Sequence, residues 1–140
     1  MREVVAQSTG RLAMVVFDSM RRILIVDDDN RSARQIEQYL RAMGHDVVET
    51  VKSADEAITA ATLHKPDLII MEVHTGPRDG VEAAKEIYSK LRIRCLLASG
   101  KIDGATRDRA AAAHPLGWLT KPYSPENFLL VLWTALLRLG

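Results

Sequence analysis

Short apolar runs alternate five times along this chain with stretches of helical spacing, and few folds accommodate that pattern. The first run is RILIV at residues 22–26. Residues 30–43 follow, with Ala33, Ile36, Leu40 and Met43 on one helical face and Gly44 as the stop. DVVETV at residues 46–51 reads as a strand. Ser53 and Glu56 then form a capping-box signature for a helix to about His64, which Lys65-Pro66 ends. Residues 67–73 make the next strand, and Asp79-Gly80 opens a helix to about Lys90. RCLLAS at residues 94–99 is the fourth strand, followed by an alanine-rich helix to about His114. GWLT at residues 117–120 is the fifth strand, and residues 125–139 the last helix, with Pro125 in its first turn.

Near-continuous apolar strands separated by helices fit a parallel sheet covered on both faces, because parallel neighbours need crossover connections. The expected fold is α/β: a doubly wound five-stranded parallel sheet with helices on both sides. Helical crossovers are right-handed, and the functional crevice of such a sheet lies at the carboxyl ends of its strands.

Those ends carry chemistry. Strand one runs into Asp27, Asp28 and Asp29; strand three ends in Glu72, strand four in Ser99, and strand five meets Lys121. Each has an ordinary explanation alone. The aspartates could form a solvated turn or cap a helix, Ser99 could be a plain strand-end hydroxyl, and Lys121 a surface charge. Their occurrence at successive strand ends favours one convergent site. Clustered carboxylates suit a hard divalent cation such as Mg²⁺, while a hydroxyl and an ammonium suit phosphoryl oxygens.

Composition excludes several other classes. The formal net charge is +1, which gives no electrostatic case for nucleic acid or an anionic membrane. The single cysteine, Cys95, excludes a disulfide framework and a cysteine zinc cluster. His45, His64, His74 and His114 lack metal-site spacing and read as surface or helix-end residues. No stretch reaches the ~18 apolar residues of a membrane span, and the N-terminus is a poor secretory signal, so a cytoplasmic location is expected.

Taken together, ILIVDDD (residues 23–29), PDLIIMEV (66–73), DG (79–80), LLASG (96–100) and GWLTKPYSPENF (117–128) resemble the receiver domain of bacterial two-component response regulators, similar to single-domain chemotaxis receivers. The resemblance covers residues 20–139, leaving residues 1–20 as an N-terminal extension and 21–140 as the receiver. It implies that Asp27 and Asp28 are the acidic pair for Mg²⁺, held weakly if at all, with the backbone carbonyl of His74 as a third ligand and Glu72 a further candidate. It implies that Ser99 is the switch hydroxyl, Trp118 the switch aromatic and Lys121 the phosphoryl-contacting lysine, and that the Lys121–Pro122 bond is cis.

The departures matter. The family's phosphoacceptor is an aspartate, and Glu72 stands in its place, with Asp79-Gly80 keeping the register. One extra methylene moves a carboxylate by about a C–C bond, ~1.5 Å, and misplacing an attacking group by about 1 Å can cost roughly 10²-fold. A glutamate also loosely resembles an aspartate that carries negative charge, and it could reach Lys121 or Ser99 unaided. The family's usual proline four residues after the acceptor is here Gly76, and the proline is Pro77. The expected function is therefore an atypical receiver that signals by protein–protein binding, without the usual phosphorylation cycle. A degenerate receiver with no switch, a receiver still phosphorylated in a phosphorelay, and a Mg²⁺-dependent phosphatase-like enzyme on the same layout are the alternatives. The enzyme lacks a further nucleophile or base at a strand end.

A histidine kinase or another signalling protein is the expected partner. The chain ends just after the last helix, so no output domain is expected. In that helix Phe128, Leu132, Ala135 and Leu139 are expected to face the sheet, leaving Leu129, Leu130, Trp133 and Leu137 for a partner, for a homodimer through the fourth helix, fifth strand and fifth helix, or for the N-terminal segment. In that segment, residues 12–17 (LAMVVF) form a short apolar stretch, and Met14 or Met20 is a candidate start beside Met1.

Overall fold

The computed structural model describes residues 20–140. Its elements, in chain order, are β1 (Arg22–Val26), α1 (Asn30–Ala42), β2 (Asp46–Val51), α2 (Ala54–His64), β3 (Leu68–Glu72), α3 (Gly80–Leu91), β4 (Arg94–Ser99), α4 (Gly104–Ala110), β5 (Gly117–Thr120) and α5 (Pro125–Leu139). A 3₁₀ turn, Ala111–Ala113, extends α4. All the pairings are parallel and the strand order is β2-β1-β3-β4-β5. The order reverses at β1, so the crevice expected at a switch point lies between the carboxyl ends of β1 and β3.

Strand alternation builds two cores. Ile23 and Ile25 of β1, Leu68 and Ile70 of β3, and Leu96 and Ala98 of β4 pack with α1 and α5. Leu24 and Val26, Ile69 and Met71, and Cys95 and Leu97 pack with α2 and α3 on the other face. Each fully buried Ile or Leu contributes about 1.5–3 kcal/mol, so the strand ends that carry the polar residues rest on a fixed base. Burial pushes the Cys95 thiol up to about 12, which makes it a core side chain and no nucleophile.

The helix starts follow their sequence signals. Ser53 caps α2, accepting a hydrogen bond from the Glu56 amide at 3.2 Å, while its hydroxyl donates to the Glu56 carboxylate at 3.0 Å. Asp79 caps α3 through the Val81 amide at 2.7 Å, and Ser124 caps α5 through the Asn127 amide at 3.1 Å.

Two expectations need correction. His45 is buried, and its Nδ1 accepts a hydrogen bond from the Arg21 amide at 3.1 Å; it serves the junction between β1 and β2 and not the surface. His64 and His114 do sit at helix ends, and His74 is exposed in a loop. On α5, Phe128, Leu132 and Ala135 are buried as expected, but Leu136 takes the fourth place and Leu139 is only half-buried. Leu129, Leu130, Trp133 and Leu137 are exposed, as read from the sequence.

Candidate functional site

Continuing the strand alternation past β1 and β3 puts Asp27 and Glu72 on the α1/α5 side of the sheet edge. Lys121, just beyond β5, comes to the same place. Its Nζ lies 2.8 Å from Asp27 Oδ2 and 2.9 Å from Glu72 Oε1. One ammonium therefore bridges the ends of β1 and β3, reaching past β4. The bridge is largely buried, with side-chain exposures of 3% for Asp27, 12% for Glu72 and 20% for Lys121. Burial alone would lower the Lys121 pKa; the hydrogen bonds to Asp27 and Glu72 outweigh it, and the ammonium is held above the usual lysine range.

The second oxygen of each acid is also engaged. Asp27 Oδ1 accepts from the Asp29 amide at 2.9 Å. Glu72 Oε2 accepts from the amide of the next residue, Val73, at 2.9 Å. The extra methylene of Glu72 is thus taken up by curling the side chain back over its own backbone, and the carboxylate meets Lys121 and not Ser99. Gly80 permits the close approach below: a Cβ there would collide with the Glu72 carbonyl oxygen and stand 3.0 Å from that of Val73.

The three consecutive aspartates divide their roles. Asp27 is in the bridge. Asp29 caps α1, accepting from the amides of Arg31 at 3.0 Å and Ser32 at 3.4 Å. Asp28 is exposed and borders a shallow cleft of about 640 Å³ shared with His74, Gly76, Pro77 and Arg78.

Ser99 lies on the opposite side of the strand alternation. It is fully buried, donates to the Lys101 carbonyl at 3.0 Å and accepts from the Lys101 amide at 3.1 Å. Trp118 is half-buried against the α2/α3 core, and the Arg107 guanidinium lies 5.2 Å from its ring centroid. The Lys121–Pro122 bond is cis, as the resemblance implied.

The loop after β3 has a conformation of its own. Gly76 has φ +74° and packs so closely on Ser53 that a Cβ would lie 3.2 Å from its side chain. Thr75 is fully buried, and its hydroxyl donates to the Lys52 carbonyl at 2.5 Å. Arg109 reaches from α4 to the carboxylate of Asp79 at 3.0 Å. Sequence reasoning missed Thr75, Arg109 and the tight seat of Gly80. Asp79-Gly80 was the one local signal among them, and it marked a helix start and not a contact with the strand end.

Receiver domains generally bind Mg²⁺ at the phosphorylation site. Asp27, Asp28 and the His74 carbonyl offer oxygens near the same edge. Among the described residues no three His, Cys, Asp or Glu side chains gather into a metal-holding group, and Lys121 pairs with both Asp27 and Glu72, one positive charge against two negative. As arranged, these residues make an ammonium-bridged acid pair with one uncompensated negative charge, and Asp27, Asp28 and the His74 carbonyl would hold the ion, which would help to neutralise an incoming phosphoryl group.

With five parallel strands and a polar cluster at their carboxyl ends, the fold and site define a receiver. A family model described as the response regulator receiver domain matches residues 23–132, and the chain belongs to that family, the signalling receivers of two-component systems. The transcriptional regulatory protein PdtaR of Mycobacterium tuberculosis (strain ATCC 25618 / H37Rv) is 37% identical over 120 residues, covering 84% of this chain and 58% of its own length. The solved structure of Vibrio cholerae chemotaxis protein CheY4 is 27% identical with a TM-score of 0.76, covering 84% of this chain and 99% of that one. A CheY-like receiver domain protein from Methanospirillum hungatei JF-1 has a TM-score of 0.78 at 21% identity, covering 86% of this chain and 97% of its own, and shows likeness of fold alone. The chain spans about half the length of the curated relatives it matches. Receiver domains interact with kinases and other signalling proteins. Among the described residues no helix is long and apolar enough to cross a membrane.

Proposed function

We propose that this receiver signals by protein–protein binding from a state set by its own ion pairs and not by a phosphorylation cycle. The observation that carries this reading is the contact of Lys121 Nζ with Glu72 Oε1 at 2.9 Å. In this family's chemistry the lysine would meet an anionic oxygen of a phosphorylated acceptor. Here a carboxylate at the acceptor position supplies that anionic oxygen permanently. Asp27 holds the same ammonium from the other side at 2.8 Å. A carboxylate whose two oxygens hold an ammonium and an amide is also poorly placed to attack a phosphodonor in line. The proposed protein has no enzymatic turnover, binds Mg²⁺ weakly, acts in the cytoplasm, and takes a histidine kinase or another signalling protein as its partner.

Incubation with a small acyl phosphate and Mg²⁺, read by intact-mass spectrometry, tests this directly. Wild type is expected to stay unmodified and Glu72→Asp to gain one phosphoryl group. A phosphorylated wild type overturns the reading. A variant that takes up phosphate no better than wild type overturns the assignment of the defect to the acceptor.

A further inference from the structure

Helix α5 carries an apolar stripe that the sheet does not use. Leu130, Trp133 and Leu137 fall at the i, i+3, i+7 spacing of one helical face and are 60%, 39% and 68% exposed. From Asn127 to Leu137 the helix has no ionisable side chain. The stripe turns away from β5. Val131 and Arg138 are the residues beside that strand: a Cβ on Gly117 would lie 4.0 and 3.8 Å from their side chains, and the Arg138 guanidinium donates to the Leu116 carbonyl at 2.7 Å. Trp133 stands two residues from Val131, about 200° round the helix at 3.6 residues per turn. An exposed, uncharged apolar stripe of this kind marks a contact surface.

The two ends of the stripe carry opposite charges. Glu126, four residues before Leu130, opens the same face at the amino end and is exposed. At the carboxyl end the Arg21 guanidinium donates to the carbonyl of Gly140, the residue after α5, in an exposed hydrogen bond of 2.9 Å. The Arg21 backbone is held as well: its amide donates to His45 Nδ1 at 3.1 Å, and its carbonyl accepts from the Asp46 amide at 2.9 Å. The cation therefore has a set place at the carboxyl end of α5.

We propose that this stripe is the contact between two copies of the chain, paired about a two-fold axis with their α5 helices antiparallel. Such a contact needs a surface that complements itself. An axis midway between Leu130 and Leu137 sets each of these leucines against the other one of the second copy and brings the two Trp133 rings together. Along the helix Glu126 lies about 11 Å from that axis and Gly140 about 10 Å, at ~1.5 Å per residue. Glu126 of each copy therefore meets Arg21 of the other. Parallel helices would instead set Glu126 against Glu126 and Arg21 against Arg21, and like charges in contact are costly. This match of both charged ends to a reversed copy selects the second copy as the occupant. The face is distinct from one made by α4, β5 and α5, because β5 lies on the other side of the helix. The inference is independent of the reading of Glu72: it uses no residue of the ion-pair cluster, and its test reads association and not phosphate uptake.

Sedimentation velocity on the full chain, from low micromolar to submillimolar concentration, tests it. Wild type is expected to pass from monomer to dimer across this range. Trp133→Glu is expected to weaken association by about tenfold or more. Leu137→Lys, at a more exposed position, serves as a second variant, and far-UV circular dichroism checks that the domain stays folded. Charge reversal reads the register. Glu126→Arg and Arg21→Glu each set like charges across the contact and weaken association. An equimolar mixture of these two variants restores opposite charges at both ends and is expected to associate more tightly than either alone. A wild type that stays monomeric, whatever else covers the stripe, overturns the inference. So does a dimer that ignores both Trp133→Glu and Leu137→Lys, or a mixture that associates no more tightly than its components.

Discussion

Two corners of one sheet edge are organised in different ways. At the ends of β1 and β3, charge holds the structure together: Asp27, Lys121 and Glu72 join three elements through one partly buried ammonium. At the end of β4, Ser99 is satisfied two residues away by the backbone of Lys101, and Trp118 is met from α4 by Arg107. The first corner is tied by long-range ion pairs and the second by local bonds. Strand alternation separates them, since Asp27 and Glu72 continue one face of the sheet and Ser99 the other. A carboxylate that reaches Lys121 by curling back engages the first corner and leaves the second with its own partners. The long-range ion pairs of this sheet edge lie in the charged corner.

The largest expected effect removes the ammonium. Lys121→Met leaves the buried Asp27 and the largely buried Glu72 carboxylates facing each other without compensation, and the loss is about 3 kcal/mol of unfolding free energy at pH 7, because breaking a buried pair strands its partners. Urea denaturation reads this as a lowered midpoint with an unchanged slope.

High pH reaches the same corner more gently. The Lys121 pKa is raised in the folded protein, so the ion pairs contribute fully below the ordinary lysine value and are lost as pH rises through the raised one. Cys95 and Tyr123, whose pKa values burial also raises, add alkaline destabilisation of the same sign. The difference between wild type and Lys121→Met cancels Cys95; Tyr123 feels the Lys121 charge, so both proteins carry Tyr123→Phe to isolate Lys121. That difference is expected to be constant up to the ordinary lysine range and to shrink above it; a difference that stays constant through strongly alkaline pH would remove Lys121 as the anchor.

The smallest effect belongs to the second corner. Ser99→Ala deletes one donor and one acceptor at a local turn, and about 1 kcal/mol is expected, the usual worth of a hydrogen bond. Denaturation of this variant beside Lys121→Met ranks the two corners. If Ser99→Ala costs as much as Lys121→Met, the distinction between them collapses.

Much of this architecture is legible in the sequence, for a physical reason. Buried parallel strands need apolar runs such as LIIM, and their crossovers need helical spacing and caps, so element order and strand ends can be read from residue type. The acids, hydroxyl and lysine at those ends are legible in the same way. What is not legible depends on contacts across the fold. His45 looks like a surface residue beside Gly44 until Arg21 supplies its partner. Leu136 and Leu139 differ by nearly a full turn, and only the seat of α5 on the sheet decides which is deeper. The alanine run after α4 tightens into a 3₁₀ turn that no side chain signals. For Glu72 the residue type raised the right question, but the direction of its carboxylate is a rotamer, fixed by Lys121 and the Val73 amide.

The central claim is that Glu72 and Lys121 act as one unit. A double-mutant cycle measures it, with Glu72→Gln, Lys121→Met and the double variant compared by urea denaturation at pH 7. The account predicts a favourable coupling on the order of 1–3 kcal/mol between the two positions. Effects that add to within about 0.5 kcal/mol, as for independent sites, would contradict it.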